Sequence, residues 1–351
     1  MPPPVLQIDR HIVAFAYDGH DYVAVAKRYT STLLQEASAH SRNSQYTLVF
    51  AHALGSHKET WEPTISYLLD LELAAMHNGG SAKFTPMWTI DCPDHGESAL
   101  MNKGTTSRVS CHAYAAAIYS LSQCNFFRDT GASHLVLVGH SAGAIAVALS
   151  NKFFRSSNAL PPYSLVLIEP WMIDSGLQAS FPHLGEVTAG LVASAKSRRD
   201  AWASAEEARA YFTSKKVWKT WKPEVLELYL FGLVPSPCSS RTTVCGVSLA
   251  FPKSRESEGY GDLSEGQAAL TELKSICGIL PTHIIFGSYP GAVPKAVRES
   301  ICDATEGRVM ASVTILPDVG HMAPQQSPRS VATALRNLRL DISRRESLCR
   351  L

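Results

Sequence analysis

Charge is scarce in this chain. Asp, Glu, Lys and Arg make up 18% of 351 residues and the formal net charge is +1, so no global charge calls for nucleic acid or an anionic membrane surface as a partner. The eight cysteines contain no C-x-x-C pair and no spacing typical of zinc. Cys92, Cys111, Cys124, Cys238, Cys245, Cys277, Cys302 and Cys349 are therefore expected as free thiols, mostly buried, because a chain of this size does not need disulfides to fold. No apolar run reaches the roughly 20 residues of a membrane span, and the start MPPPVLQIDR has no basic segment followed by an apolar one, so no signal peptide is read. Internal repeats and low-complexity tracts are also missing, and no motif calls for a cofactor or a metal. A protein in solution inside the cell is expected.

Hydrophobic residues are plentiful at 45%, enough for a large core. Two alternating stretches around Asp18-Gly19 predict a hairpin with strands near 11–17 and 22–29. Short apolar β-branched runs then alternate with helical patterns. TLVFA (47–51) precedes a helix near 58–76, PMWTI (86–90) one near 109–127, and HLVLVG (134–139) one near 142–154, with SLVLIE following at 164–169. The alternation breaks over 171–275, a segment with four tryptophans and helical stretches, and resumes with THIIFG (282–287), a helix near 294–302, SVTIL (312–316) and a last helix near 327–340. Continuous apolar strands separated by helices predict a parallel sheet covered on both faces. The interruption between the sixth and seventh strands of such a sheet reads as a lid.

The sharpest motif is Gly139-His140-Ser141-Ala142-Gly143, at the end of an apolar strand and the start of a small-residue helix. A sharp strand-to-helix turn presents the Ser141 hydroxyl at the sheet edge, and the helix N-terminus points N–H dipoles at a developing oxyanion. His52-Ala53-Leu54-Gly55 follows the strand TLVFA, and by position the amides of Leu54 and Ala142 are the expected oxyanion donors. His52 itself is expected to shape its loop. A serine hydroxyl needs a base, and His321, in a turn between the last strand and the last helix, is the expected one; His283 lies inside a strand and reads as structural. The acid is displaced. The loop after the seventh strand, FGSYPGAVPKAV, has no carboxylate, whereas Glu169 ends the sixth strand and is the expected orienting acid, with Asp174 in reserve and Asp318 as a brace for the histidine's loop.

Together these residues resemble the α/β-hydrolase superfamily over essentially the whole chain, as does Asp91-Cys92-Pro93-Asp94-His95-Gly96-Glu97-Ser98, which is similar to that superfamily's D-x-x-G-H-G-x-S turn. The fold this implies is α/β: a mostly parallel eight-stranded sheet with helices on both faces and a helical lid inserted after strand 6. The core would be residues 1–170 and 276–345, the lid 171–275, and 346–351 an exposed tail. HALGSHKETWEP (52–63) resembles a fungal branch, peroxisomal hydrolases linked to toxin and mycophenolic acid biosynthesis, in which the acid also follows the sixth strand; that branch has Asp where this chain has Glu169. The tail Cys349-Arg350-Leu351 is similar to the peroxisomal address Ser-Lys-Leu, which implies an import receptor as partner.

The resemblance implies a serine hydrolase acting on a carboxylic ester or an acyl-CoA thioester. Lys196, Arg198, Arg199, Arg209, Lys215, Lys216, Lys219 and Lys222, against Asp200, Glu206 and Glu207, would meet CoA phosphates or form a solvated helix face. Two alternatives stand beside it: a serine carbon–carbon hydrolase or lyase on the same fold, and a non-catalytic ligand-binding protein. Epoxide hydrolases and dehalogenases of the superfamily carry Asp at the elbow, where this chain has Ser141. A homodimer is compatible with the sequence, which sets no oligomeric state.

Overall fold

The computed structural model describes residues 6–34, 46–80, 82–104, 108–128, 134–157, 159, 161–237, 244–289, 291 and 293–338. Cys349-Arg350-Leu351 and the rest of the tail lie outside the described residues, as does Cys238. Strands β1 (Leu6–Tyr17) and β2 (His20–Ser31) form the hairpin, with Tyr17 opposite His20. Asp18 and Gly19 turn the chain at φ of 49° and 73°, the positive pair that a two-residue turn matched to the strand twist requires.

Next come β3 (Tyr46–Ala51), β4 (Phe84–Ile90), β5 (His134–His140) and β6 (Ser164–Ile168). The segment after β6 contributes β7 (Ala201–Trp202), β8 (Leu233–Pro237) and β9 (Val244–Leu249), and the chain ends with β10 (Thr282–Gly287) and β11 (Ser312–Leu316). Eight strands form one sheet in the order β1-β2-β4-β3-β5-β6-β10-β11. β2 runs antiparallel to β1 and to β4, and the remaining pairs are parallel. Every residue of β3, β6 and β10 is buried, as expected for strands covered on both faces.

The alternation of strand side chains divides the core in two. Val49, Leu137, Leu165 and Ile284 face a cluster with the helices Cys111–Gln123 and Ala142–Arg155. Their neighbours Leu48, Val136, Val166 and Ile285 face the helices Glu62–His77 and Pro328–Asn337. The helix expected from 58 opens instead as a tight turn, Lys58–Trp61, and becomes α-helical at Glu62, because Pro63 is suited to a first turn and not to a helix interior. The helix near 109–127 is two pieces, Cys111–Gln123 and Asn125–Arg128, broken where Cys124 turns extended (ψ 141°). The last helix ends at Asn337.

The segment after β6 is not purely helical. β7, β9 and β8 form an antiparallel three-stranded sheet, built where VCGVSL supplies β-branched residues. Its helices Ala205–Ser214 and Pro223–Phe231 hold a separate aromatic cluster of Trp202, Phe212, Trp221 and Tyr229. The helix Ser264–Ile276 instead buries Ala269, Leu270 and Leu273 in the main core. Among the described residues, no helix is long and apolar enough to cross a membrane.

Candidate active site

Glycine at both flanks of the Gly139–Gly143 turn is a steric requirement. A Cβ on Gly139 would lie 2.3 Å from the Gly143 carbonyl oxygen, and one on Gly143 would lie 2.4 Å from that of Ala51. With those contacts open, the backbone reverses between β5 and the helix Ala142–Arg155, and Ser141 sits at φ 54°, ψ −116°. A non-glycine residue at positive φ is strained and persists only where its surroundings hold it. Here the Ser141 N–H donates to the Ile168 carbonyl at 3.0 Å, and its carbonyl accepts from Ala144 N at 2.9 Å. Glu169 is a second such residue, at φ 48°, with its N–H donating to the Ile285 carbonyl at 2.9 Å. Both lie at the carboxyl ends of parallel strands, the edge at which open α/β sheets bind ligands.

His321 arrives from the turn after β11, and its Nε2 lies 3.1 Å from Ser141 Oγ. Its Nδ1 faces Glu169 Oε2 at 3.3 Å, the long end of a hydrogen bond. The order hydroxyl, imidazole, carboxylate requires Nδ1–H to donate to the carboxylate and Nε2 to accept from the hydroxyl. The structure thus brings Ser141, His321 and Glu169 into one line. Asp174 is elsewhere, capping the helix Ser175–Ser180 by accepting from Gly176 N at 2.9 Å and Leu177 N at 3.2 Å. Exposed Asp318 accepts from the Tyr289 hydroxyl at 3.4 Å, and its own N–H donates to Ser288 Oγ at 2.9 Å.

Two residues at this centre have roles that the sequence does not signal. His140 is fully buried, and its Nε2–H donates to the His321 backbone carbonyl at 2.8 Å. Burial pushes its pKa down to about 3, so the ring stays neutral and keeps that tautomer. Arg298 donates to Glu169 Oε1 at 3.1 Å. His140 shares its motif with Ser141, but nothing in the sequence says where its ring points. Arg298 lies 129 residues from Glu169 in an ordinary-looking helix.

Ser141 opens into a cavity of about 370 Å³, lined by Leu54, Ala142, Trp171, Trp218, Trp221 and Met322 among others. Leu54 and Ala142 thus line the same cavity as Ser141, Ala142 as the first residue of its helix, where N–H groups lack an intrahelical partner. The cavity has a paired polar wall as well: Arg108 holds Asp262 at 2.8 Å and Glu265 at 3.0 Å, and Arg198 holds Glu256 through two hydrogen bonds.

The loop carrying Leu54 is braced from behind. His52 Nδ1–H donates to the Ala53 carbonyl at 2.8 Å, and its Nε2 accepts from Cys92 N at 3.0 Å. Complete burial holds its pKa well below the ordinary value, and a neutral ring with both nitrogens engaged shapes the loop. The His52 N–H donates to the Tyr114 hydroxyl, which in turn donates to the Ile90 carbonyl, both at 2.9 Å. His283 is buried on β10 beside Ser312 Oγ at 2.8 Å, its pKa lowered to about 4 by burial.

Asp91 and Lys58 form a fully buried pair at 2.9 Å. Glu59 Oε1 is also 2.9 Å from Lys58 Nζ, and Glu97 Oε2 is 3.3 Å away. Neighbouring carboxylates hold the Lys58 ammonium well above the usual range. Removing one member of a buried pair strands the other. Lys58→Met is thus expected to lower stability by about 3–5 kcal/mol, read as a fall in the denaturant midpoint; an unchanged midpoint contradicts this account of the pair.

Among the described residues, one group has donor atoms close enough for a metal ion: Cys92, Asp94 and His95, within 4.8 Å of one another and all buried. Their polar atoms are engaged with each other and the backbone. His95 Nδ1–H donates to Asp94 Oδ1 at 2.7 Å, Cys92 Sγ lies 3.3 Å from the same oxygen, and His95 Nε2 accepts from Gly55 N at 3.1 Å. The group ties the turn after β4 to the loop that carries Leu54. Cys92, Cys111 and Cys277 are buried free thiols, and Cys124 and Cys302 are half-buried ones.

A parallel sheet with antiparallel strands at one edge and a strained Ser141 at the end of β5 defines an α/β-hydrolase architecture. The α/β hydrolase family model matches residues 48–334, and the chain belongs to that family. Solved structures agree on the fold. The peroxisomal α/β-hydrolase Lpx1 from Saccharomyces cerevisiae superposes with a TM-score of 0.73 at 17% identity, over 94% of this chain and 87% of that one. The thioesterase domain from the curacin biosynthetic pathway gives 0.61 at 16% identity, over 94% and 100%. A thermophilic esterase from Thermogutta terrifontis gives 0.57 at 15% identity, over 93% and 97%. No curated protein matches the chain.

Proposed function

We propose that the protein is a serine hydrolase that cleaves a carboxylic ester or an acyl-CoA thioester through an acyl-serine intermediate. The observation that carries this reading is the Ser141–His321–Glu169 line at the floor of the cavity, with contacts of 3.1 and 3.3 Å. Ser141 Oγ attacks the carbonyl carbon while His321 Nε2 takes the hydroxyl proton. The Leu54 and Ala142 amides donate to the developing oxyanion. The imidazolium returns its proton to the departing alkoxide or thiolate, leaving Ser141 acylated. Water, deprotonated by the same imidazole, then attacks the acyl carbon and releases the acid. Glu169 keeps Nδ1 protonated throughout and stabilises the imidazolium.

The segment between β6 and β10 acts as a lid over this centre, since it supplies Trp171, Trp218 and Trp221 to the cavity wall. Support for a phosphate-bearing leaving group comes from its charges. Arg198, Arg199 and Arg209 are taken by Glu256, Glu207 and Glu227. Among the described residues, no carboxylate forms an ion pair with Lys215, Lys216, Lys219 or Lys222, which surround Val217, Trp218 and Trp221 of the wall. Peroxisomal residence, through Cys349-Arg350-Leu351 and its import receptor, belongs to the same proposal and has the likeness to the yeast peroxisomal hydrolase in its favour.

The experiment compares an acyl-CoA with the p-nitrophenyl ester of the same acyl group. Both are expected to turn over, and the KM for the acyl-CoA alone should rise steeply between low and physiological salt, as exposed charges are screened. An acyl-CoA left intact by enzyme that cleaves the ester removes the thioester half of the reading.

A further inference from the structure

The loop after β10, residues 288–294, has no carboxylate. What reaches this corner instead is Arg298, from the helix Lys295–Ile301. Its Nη1 donates to the Gly287 carbonyl at 2.6 Å, Nε to that of Val293 at 2.8 Å, and Nη2 to that of Tyr289 at 3.1 Å. The same Nη2 donates to Glu169 Oε1 at 3.1 Å, an oxygen that also accepts from Gly287 N at 2.7 Å. Glu169 is fully buried. Its Oε1 is thus held by two donors, one of them charged, and Oε2 is left to face His321.

We propose that Arg298 is a positioning residue of the relay: with Gly287 N it holds Oε1 of the buried Glu169 carboxylate, fixes which oxygen faces His321, and places a positive charge beside the relay. This rests on the hydrolase reading above. Without a counter-charge, a buried carboxylate is pushed toward its neutral form. The acid stands at the end of β6, fully buried, and Arg298 supplies the compensating charge beside it. A bidentate or forked guanidinium also gives direction, which an ammonium does not.

Removing the charge acts in one direction on the pH profile, whichever group then titrates. Loss of a cation beside the Glu169–His321 pair favours uptake of a proton by the pair, and catalysis needs the imidazole free to accept one. The acid limb of kcat/KM therefore moves to higher pH. The other groups around His321 are His140 on β5, held neutral by burial, and exposed Asp318 before it in the turn after β11. Across the cavity, Glu256, Asp262 and Glu265 are paired with Arg198 and Arg108.

The test is the pH dependence of kcat/KM for a p-nitrophenyl ester in wild type, Arg298→Gln and Arg298→Lys, with the His321 ring titrated by NMR in the same proteins. Arg298→Gln is expected to raise the acid limb by about one pH unit or more and to change the His321 titration. Arg298→Lys should restore the limb to near its wild-type position while kcat stays reduced, because the loop carbonyls lose their fork. A residue that only stitches the loop would lower rate and stability at all pH values and leave the limb in place; that result overturns the proposal. If Arg298→Gln does not fold, Arg298→Lys decides alone, and a displaced limb despite the retained charge overturns it. If wild type cleaves neither an ester nor an acyl-CoA, the hydrolase reading fails, and the NMR titration still decides whether Arg298 and His321 are coupled through Glu169.

Discussion

Ser141→Ala is expected to reduce turnover by about 10⁵–10⁶-fold while leaving the fold intact. The size follows from the loss of the nucleophile: with no oxygen to acylate, what remains is the oxyanion site and substrate binding. The intact fold follows from local geometry. The strain at φ 54° is a property of any side chain with a Cβ, so alanine bears the same strain as serine. The Ser141 side chain forms no hydrogen bond that caps its helix, and its Oγ contacts His321 alone among the hydrogen bonds described. Thermal unfolding should therefore stay near wild type while activity vanishes. Full activity in the alanine variant would remove Ser141 from the mechanism.

Glu169→Gln is expected to cost about 10³–10⁴-fold in kcat. The substitution keeps the size and both positions of the side chain's end. Its amide oxygen will stay where Gly287 N and Arg298 donate, at the Oε1 position, because an NH₂ there would oppose two donors. The NH₂ then points at His321 Nδ1, which must accept. That locks the imidazole into the tautomer with its proton on Nε2, and such a ring cannot take the proton of Ser141. Binding of substrate should change little. An activity within tenfold of wild type would mean that Glu169 does not orient the histidine.

Much of this arrangement is legible in the sequence, for physical reasons. Fully buried parallel strands such as TLVFA and SLVLI leave an apolar run with sharp ends, and a nucleophile turn leaves two glycines around Ser141. His321 stands out because a Gly-His between the last strand and the last helix falls at the sheet's carboxyl edge. Glu169 is readable only as one of several carboxylates, since a candidate acid is distinguished by distance, and its 3.3 Å contact joins residues 152 positions apart. Arg298 leaves no local pattern, and the motifs that contain His140, Lys58 and Asp91 do not name their partners, which come from elsewhere in the chain. The small sheet β7-β9-β8 escapes notice for a related reason, as its strands are short and pair across a helix-rich segment.

The most direct measurement is covalent labelling of the folded protein with a fluorophosphonate, followed by peptide mapping. The serine must be activated by its histidine to react, so a single adduct on Ser141 is predicted, lost in Ser141→Ala and strongly slowed in Glu169→Gln. A folded protein that forms no adduct at Ser141, or one labelled equally fast without Glu169, contradicts the account.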